Sequence, residues 1–480
     1  MQSMNAAVNF SKGELARTID ALRSAIRAAL PSGRFAERER AALAVTNEAV
    51  RLVLEQDLQA IADGFGDEVE VNGVIYKRHE SGTVPYHSLC GPLHVARDTF
   101  RQTGVHNGPT VVPLELAAGI VERATPELGR NVAHGYGEHD MRIHEQQLQL
   151  AHRKPPPRAT LERIACAIAA GAHKNAPVLE RTLRRAERLP AEAHAVVVGL
   201  DRTSVPMAEP RTGDSPKLTR RRRNKPYQRR APAPVDVNWR MAYVGTVSIV
   251  DSDGEALVTR RYAISPGEDE TQVVGRMMQD VRNAVQRRPT LRVAAMQDGA
   301  PEMWNRVRDG LEQLKRESVI SRWHEGIDIC HVLEHLGDAL ELLDRDDRTQ
   351  RLEEWHCALL SKSSAIDEIE AFLKFYRHRL SGDTLEAFEE HLTYLENNKD
   401  RMDYAKLTRS GLPIGSGVTE GAAKNVINMR SKRSGQRWSE PGLRGVLTLR
   451  ALLKSDRMDR FWVLLSRRYV ANVNTVVDAA

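Results

Sequence analysis

Between residues 191 and 336 the pattern of apolar residues sets the order of elements before any single residue is weighed. "AHAVVVGLD" is an apolar run of strand length ending in Asp201. "WRMAYVGTVSIVD" and "GEALVTRRYAI" follow as two more strands, joined at Ser252-Asp253-Gly254. A helical period over about 269 to 287 leads into "LRVAAMQDG", a fourth apolar run that ends in Asp298. A second helix leads to "GIDICHVLEHL", which starts as a strand and turns helical. The predicted order is strand, strand, strand, helix, strand, helix, strand.

Hairpin strands followed by strands reached across helices describe a mixed sheet of the ribonuclease H type, within an α/β fold. In such a sheet the strand ending in Asp298 lies beside the strand carrying Asp201, and the two carboxylates meet. From 333 to 410 the period is helical and strongly charged, which predicts an all-α insertion. The chain returns with "LPIGSGVTEGAAKNVINMRSKRSGQRW", where Glu420 follows a Gly-Ser-Gly turn and heads a basic run. Two carboxylates on neighbouring strands and a third on a helix laid against them suit oxygen-loving divalent cations, so Mg2+ (or Mn2+) is expected. Two such ions about 3.5 to 4 Å apart activate the attacking oxygen at a phosphodiester and stabilise the leaving one. Asp201, Asp298 and Glu420 are therefore the candidate catalytic residues and metal ligands. Taken singly each has an ordinary explanation, a strand end, an Asp-Gly turn and a helix N-terminus.

The net charge of +6 says little by itself, but the cations are unevenly placed. "KLTRRRRNKPYQRR", residues 217 to 230, carries eight positive charges and no negative one within a loop spanning 211 to 235. Such a density is expected to bind a phosphate backbone, through Arg220, Arg221, Arg222, Arg223 and Lys225. Lys424, one turn along the helix from Glu420, and Arg430, Lys432, Arg433 and Arg437 are expected to hold DNA near the acids. Trp438, amid those cations, is the aromatic candidate for a DNA contact.

Residues 1–190 read as mainly helical with a small β-hairpin at Asn72-Gly73, to which "TVPYHSLCGPLHVARDTFRQ" could add strands, and are the expected DNA-binding region, where short helices around 124 to 190 could hold a helix-turn-helix. The remaining divisions are a catalytic core in two parts, 191–332 and 411–480, around the helical insertion 333–410. The chain shows no run of eighteen apolar residues and no signal-peptide pattern, so membrane spanning and secretion are not expected. Cys90, Cys166, Cys330 and Cys357 are scattered, which argues against a zinc ribbon and against disulfides.

"GLD" with Asp201, "MQDGAPEMW" with Asp298, "DICHVLEHL" and "PIGSGVTEGAAKNVINMRSKRSGQRW" with Glu420 together resemble the DDE transposases of bacterial insertion sequences, notably the ISKra group and its Mutator-like relatives. The likeness covers most of 191 to 450, and is looser over "YHSLCGPLHVARDTFRQ" and "PLELAAGIVERATPEL". It implies metal-dependent DNA cleavage and strand transfer at terminal inverted repeats, double-stranded DNA as partner, and at least a dimer on DNA. It further implies a cytoplasmic location at the bacterial nucleoid. Asp328 and His331 occupy the place of an acid and histidine pair that follows the second catalytic acid in that family. Relatives often carry a cysteine-rich zinc-binding N-terminal part, and only Cys90 and Cys166 precede the catalytic strands here.

Two rival readings stand beside this one. "HVLEH" matches the H-x-x-E-H pattern of a zinc peptidase, with His331 and His335 as ligands and Glu334 as base. A DNA-binding protein without catalysis would use the basic loop and the N-terminal helices and leave the acids structural.

Overall fold

The alternating run around Asn72-Gly73 folds as a hairpin because both residues take positive φ, a region open to glycine and tolerated by asparagine. The computed structural model describes residues 12–211 and 235–476. Arg220, Arg221, Arg222, Arg223 and Lys225 lie outside the described residues. The chain divides into two compact units, Met1–Gly171 with Trp462–Ala480, and Ala172–Phe461.

The first unit contains α1 (Lys12–Ala29), α2 (Phe35–Asp63), β1 (Glu68–Val71), β2 (Val74–Ser88), β3 (Gly91–Gln102) and β4 (Thr110–Val111). Then come α3 (Pro113–Ala118), α4 (Pro126–Glu138), α5 (Met141–Leu150) and the start of α6 (Arg158–Ala186). Its strands form one antiparallel sheet in the order β10-β1-β2-β3-β4, with β10 (Val473–Thr475) drawn from near the chain's end. The stretch "TVPYHSLCGPLHVARDTFRQ" thus adds to the hairpin, as the end of β2 and the whole of β3. The sheet has five strands, and the pairing of β1 with β10 joins residues too far apart for any local pattern to reveal. Leu58 of α2 packs with Tyr86, Leu93, Val95 and Leu114 to bury one face of the sheet.

In the second unit, β5 (Ala195–Pro210), β6 (Val235–Val250), β7 (Ala256–Ile264), β8 (Arg292–Gln297) and β9 (His324–Ile327) make a mixed sheet in the order β7-β6-β5-β8-β9. The β5–β6 and β6–β7 pairs are antiparallel, and β8 and β9 continue parallel to β5. Side chains alternate between faces with period two. Val196, Val198, Val293 and Ala295 pack under α7 (Thr271–Arg287) and α8 (Pro301–Arg316). Ala195, Val197, Ala294 and Met296 face the opposite layer.

That opposite layer is helical throughout: α9 (Ile329–Leu342), α10 (Arg348–Ser361), α11 (Ala365–Tyr376), α12 (Gly382–Asn398) and α13 (Tyr404–Arg409). Beyond it, α14 (Gly417–Ala422), a π-helical turn (Ala423–Asn428), α15 (Met429–Ser431) and α16 (Glu440–Lys454) cover the outer part of the sheet. There Ala422, Val426, Ile427 and Leu443 bury Val205, Met207, Ala242 and Val244. The last helix is α17 (Met458–Ser466). Among the described residues no helix is long and apolar enough to cross a membrane, and all four cysteines are free.

Candidate active site

The register of the parallel strands aligns three acids. β5 and β8 pair through Val198 and Ala295, and Asp201 and Asp298 each follow three residues later. β8 and β9 pair through Gln297 and Ile327, and Asp298 and Asp328 come next on each. By the same period Asp201 shares the face of Val197 and Gly199, and Asp298 that of Ala294 and Met296. This is the face on which α9 and α14 lie.

Helix α14 reaches the sheet through a gap left by a missing side chain. A Cβ on Gly199 would stand 2.1 Å from the Thr419 hydroxyl oxygen and 2.8 Å from the Met296 carbonyl. With no Cβ there, Thr419 is buried and its hydroxyl bonds that of Thr246 at 2.8 Å. Glu420, the next residue, is half-exposed above the acids. Burial pushes the Asp201 carboxyl up to about 6, and the charges of Asp298 and Glu420 add to it, while the Arg202 N–H donated at 2.6 Å and His331 oppose it. Sequence reasoning missed Gly199, although a glycine inside "VVVGLD" is the standard signal for close backbone approach to a strand.

Asp328 does different work. Buried at the head of α9, it accepts the Cys330 N–H at 2.7 Å on one oxygen and the Ser416 N–H on the other. It therefore caps one helix and holds the turn that launches α14. His331, one turn into α9, places Nε2 3.3 Å from a Glu420 oxygen and Nδ1 3.1 Å from Glu334. Burial disfavours its positive form, but the Glu334 bond and the charges of Asp328 and Glu420 outweigh that, and its pKa is raised. Ser416 also donates its hydroxyl to Glu420 at 3.1 Å.

Helix α12 closes the corner at Asp298. Gly299 leaves room for Tyr394, whose ring would lie 2.3 Å from a Cβ there. The Tyr394 ring stacks on His335 at 3.7 Å, and its buried hydroxyl has no hydrogen-bond partner among the described residues. His335 meets His391 nitrogen to nitrogen at 2.9 Å. The two histidines of "HVLEH" thus turn to different neighbours, and the zinc-peptidase reading gains nothing from them.

The donor chemistry fits a hard divalent cation. Asp201 and Asp298 each accept a backbone N–H on one oxygen, from Arg202 and Ala300, and Glu420 uses one oxygen for Ser416 and His331. The second oxygen of each has no protein partner among the described residues. Carboxylate oxygens, one from each of these three acids, are the donor type such an ion prefers. Their spacing is wider than a closed site, for among the described residues no three His, Cys, Asp or Glu side chains are gathered tightly enough to hold a metal.

Of the expected DNA-contacting residues, Lys424, Lys432, Arg433 and Arg437 are exposed. Lys424 falls within the π-helical turn rather than on a continuous α-helix, and Lys432 donates to the Thr203 hydroxyl, two residues past Asp201, at 2.6 Å. Arg430 departs from the expectation. It is buried, with its guanidinium 4.8 Å from the ring centre of Trp438. Trp438 is itself half-buried: its backbone bonds Pro206 and Ala208 of β5, and its indole N–H donates to the Ser431 carbonyl. This pair clasps the basic segment to the sheet.

No protein-family model matches the chain, and no curated protein matches it significantly. Among solved structures it is similar to a Mos1 mariner paired-end complex with Mn, at 13% identity, 49% of this chain, 62% of that one and a TM-score of 0.15. It is also similar to a Mos1 transposase paired-end complex with the left transposon end, at 12% identity over 55% of this chain and 73% of that one, with a TM-score of 0.16. The chain thus spans under two thirds of the length of the first. Likeness that weak carries no argument about this chain.

Proposed function

We propose that the second unit is a ribonuclease H-like catalytic core, interrupted by the helices of 333–410, and that the protein is a DDE transposase of an insertion sequence. The strand order β7-β6-β5-β8-β9, antiparallel on one side of β5 and parallel on the other, supports the fold. The observation that carries the function is that acids from three elements distant in sequence lie on one side of the sheet, with Asp201 buried within reach of the charges of Asp298 and Glu420. A structural role alone gives no reason to bury Asp201 beside like charges that disfavour its ionised form.

In this reading Asp201, Asp298 and Glu420 hold Mg2+ or Mn2+. Divalent ions bound there would polarise the phosphodiester and lower the pKa of the attacking water or hydroxyl. Asp328 positions both α9 and the turn before Glu420, and His331, held between Glu334 and Glu420, orients the Glu420 carboxylate. Lys424, Lys432 and Arg437 hold the strand's phosphates beside the acids, and the arginines of 220–223 extend that grip. The first unit reads the terminal inverted repeats. Joining two ends to target DNA requires at least two copies of the chain on DNA.

The deciding experiment is incubation of the purified chain with a labelled terminal fragment of its own element and Mg2+ or Mn2+. Nicking at the element's end, lost in Asp298→Asn, is expected. Binding without cleavage under every divalent ion would favour the non-catalytic DNA-binding reading instead.

A further inference from the structure

At the edge of the sheet away from the acids, a cavity of about 740 Å³ opens between the carboxyl ends of α7 and α8 and the first residues of β8 and β9. Its floor is apolar, formed by Val285, Leu291, Val293 and Ile320, and its rim carries Arg292, Lys315, Arg322 and His324. No carboxylate lines it. This is unusual in a chain whose other arginines are so often paired, as Arg276 is with Glu180, Arg282 with Glu317 and Arg308 with Glu325. Among the described residues none of Arg292, Lys315 and Arg322 has a carboxylate partner: the Arg292 guanidinium meets His194 Nε2 at 2.6 Å, and Lys315 Nζ lies 5.6 Å from the ring centre of Trp323. Lys315 could be explained by the dipole of α8, in whose last turn it sits. Arg322 lies between α8 and β9, so it does not have that reason.

The cations also disfavour one another. Burial lowers the pKa of His324, and the charges of Lys406, Arg322 and Arg292 lower it further. An anion in the cavity would relieve that repulsion. Its volume falls within the range of small-molecule sites, and an apolar floor beneath a cationic, hydroxyl-bearing rim fits a flat body with an anionic end. Ser318 and Ser321 supply the hydroxyls. From this we infer that the cavity binds a nucleoside phosphate, either a free nucleotide or the phosphorylated end of a strand. The base would lie on the apolar floor and the phosphate between Lys315 and Arg322, Arg292 standing on the other face of β8 against His194. Arg292 begins β8 and Asp298 follows its end, so the cavity stands roughly 20 Å from the acids and serves a different group from the one cleaved.

The test titrates the full chain in EDTA, which silences divalent metal chemistry at the acids, and reads binding by calorimetry. The probes are deoxyadenosine monophosphate, inorganic phosphate, and a short single-stranded oligonucleotide with and without a 5′-phosphate. Saturable binding of the mononucleotide, tighter than inorganic phosphate and weakened roughly tenfold or more in Arg322→Ala and in Lys315→Ala, is expected for a free nucleotide. Binding confined to the 5′-phosphorylated oligonucleotide, with the same sensitivity, identifies a strand end as the source. Asp201→Asn should bind as wild type in either case, which separates this site from the acids. If neither probe binds more tightly than inorganic phosphate, or if both variants and Lys315→Glu bind as wild type, the inference is overturned. Because cleavage is not read, the outcome is independent of whether the chain is a transposase.

Discussion

Asp201 and Asp298 lie at equal distance beyond Val198 and Ala295, the last paired positions of two adjacent parallel strands. Equal offset puts both side chains on one face, so a carboxylate pair follows from strand register rather than from any local motif. Asp201→Asn and Asp298→Asn should each reduce end cleavage by orders of magnitude and leave DNA affinity within about twofold of wild type, because the basic surface is untouched. Asp201→Asn should also stabilise the metal-free protein, by on the order of 1 to 3 kcal/mol, since it removes a charge that burial and its neighbours disfavour. Thermal melts in EDTA beside cleavage assays check both. A variant that loses stability and activity together would point to a structural acid.

Gly199 and Gly421 make a matched pair. A methyl at Gly199 collides with Thr419 and the Met296 carbonyl, whereas one at Gly421 meets nothing within 4 Å. Gly199→Ala should cost roughly 1 to 3 kcal/mol and, by displacing the helix that carries Glu420, lower cleavage about a hundredfold. Gly421→Ala, on an open helical position, should raise stability by about 0.5 to 1 kcal/mol and leave cleavage intact. Urea melts and single-turnover cleavage on the two variants test the pair. Equal activity would mean that α14 does not position the reaction.

Asp328 uses both of its oxygens on backbone N–H groups. Asn there can accept on one side only, so Asp328→Asn should lose roughly 1 to 3 kcal/mol and slow cleavage without abolishing Mn2+ binding. Paramagnetic titration of the variant decides this. Loss of a bound ion would make Asp328 a ligand in its own right.

How far the site could be read from the chain depends on the range of each contact. Strand period and acid position are local, so the four apolar runs and the Asp201 and Asp298 ends were legible. Strand β5 nevertheless continues past Asp201 to Pro210, paired with β6 throughout, because Arg202-Thr203-Ser204 and Pro206 interrupt the apolar run and hide the alternation of Val205 and Met207 that buries one face of the ribbon. The seating of Thr419 against Gly199 joins residues more than two hundred positions apart, and no pattern in either stretch contains the other. Arg430 reads like its basic neighbours in "MRSKRSGQRW", but only the fold shows it turned inward over Trp438. Charge can be read from sequence, and which charges face solvent cannot.

The arginines at 220 to 223 fall between Pro210, the end of β5, and Val235, the start of β6, at the far end of a paired ribbon that begins beside Asp201, so they are predicted to grip phosphates of the DNA flanking the cut rather than at it. Replacing all four by glutamine should weaken binding to the element's end and to random duplex nearly equally, and should flatten the salt dependence of affinity by up to about four counterions. Affinity for both duplexes across a salt series reads the effect. A loss restricted to the element's end would assign base reading to this segment rather than to the first unit.

The acid stability of the second unit should turn on Glu187. Its carboxylate, only slightly exposed, takes two bonds from Arg457, at 2.7 and 2.9 Å, and one from Arg260 at 2.7 Å, while Arg457 also faces Asp280 at 3.3 Å. Burial alone would raise the Glu187 pKa, but the two guanidinium groups outweigh it and the net shift is downward. A depressed carboxylate gives its full stabilisation above its unfolded pKa of about 4.3 and loses it as pH falls through the lower folded value. Glu187→Gln leaves Arg457 buried without its main partner and should cost about 3 kcal/mol at pH 7. Below roughly pH 4 wild type progressively loses this contribution, so the gap in melting temperature between the two proteins should narrow as the pH is lowered. Melts of both proteins from pH 7 to pH 3 measure that gap. A constant difference across the range would show that Glu187 is not the group through which acid acts.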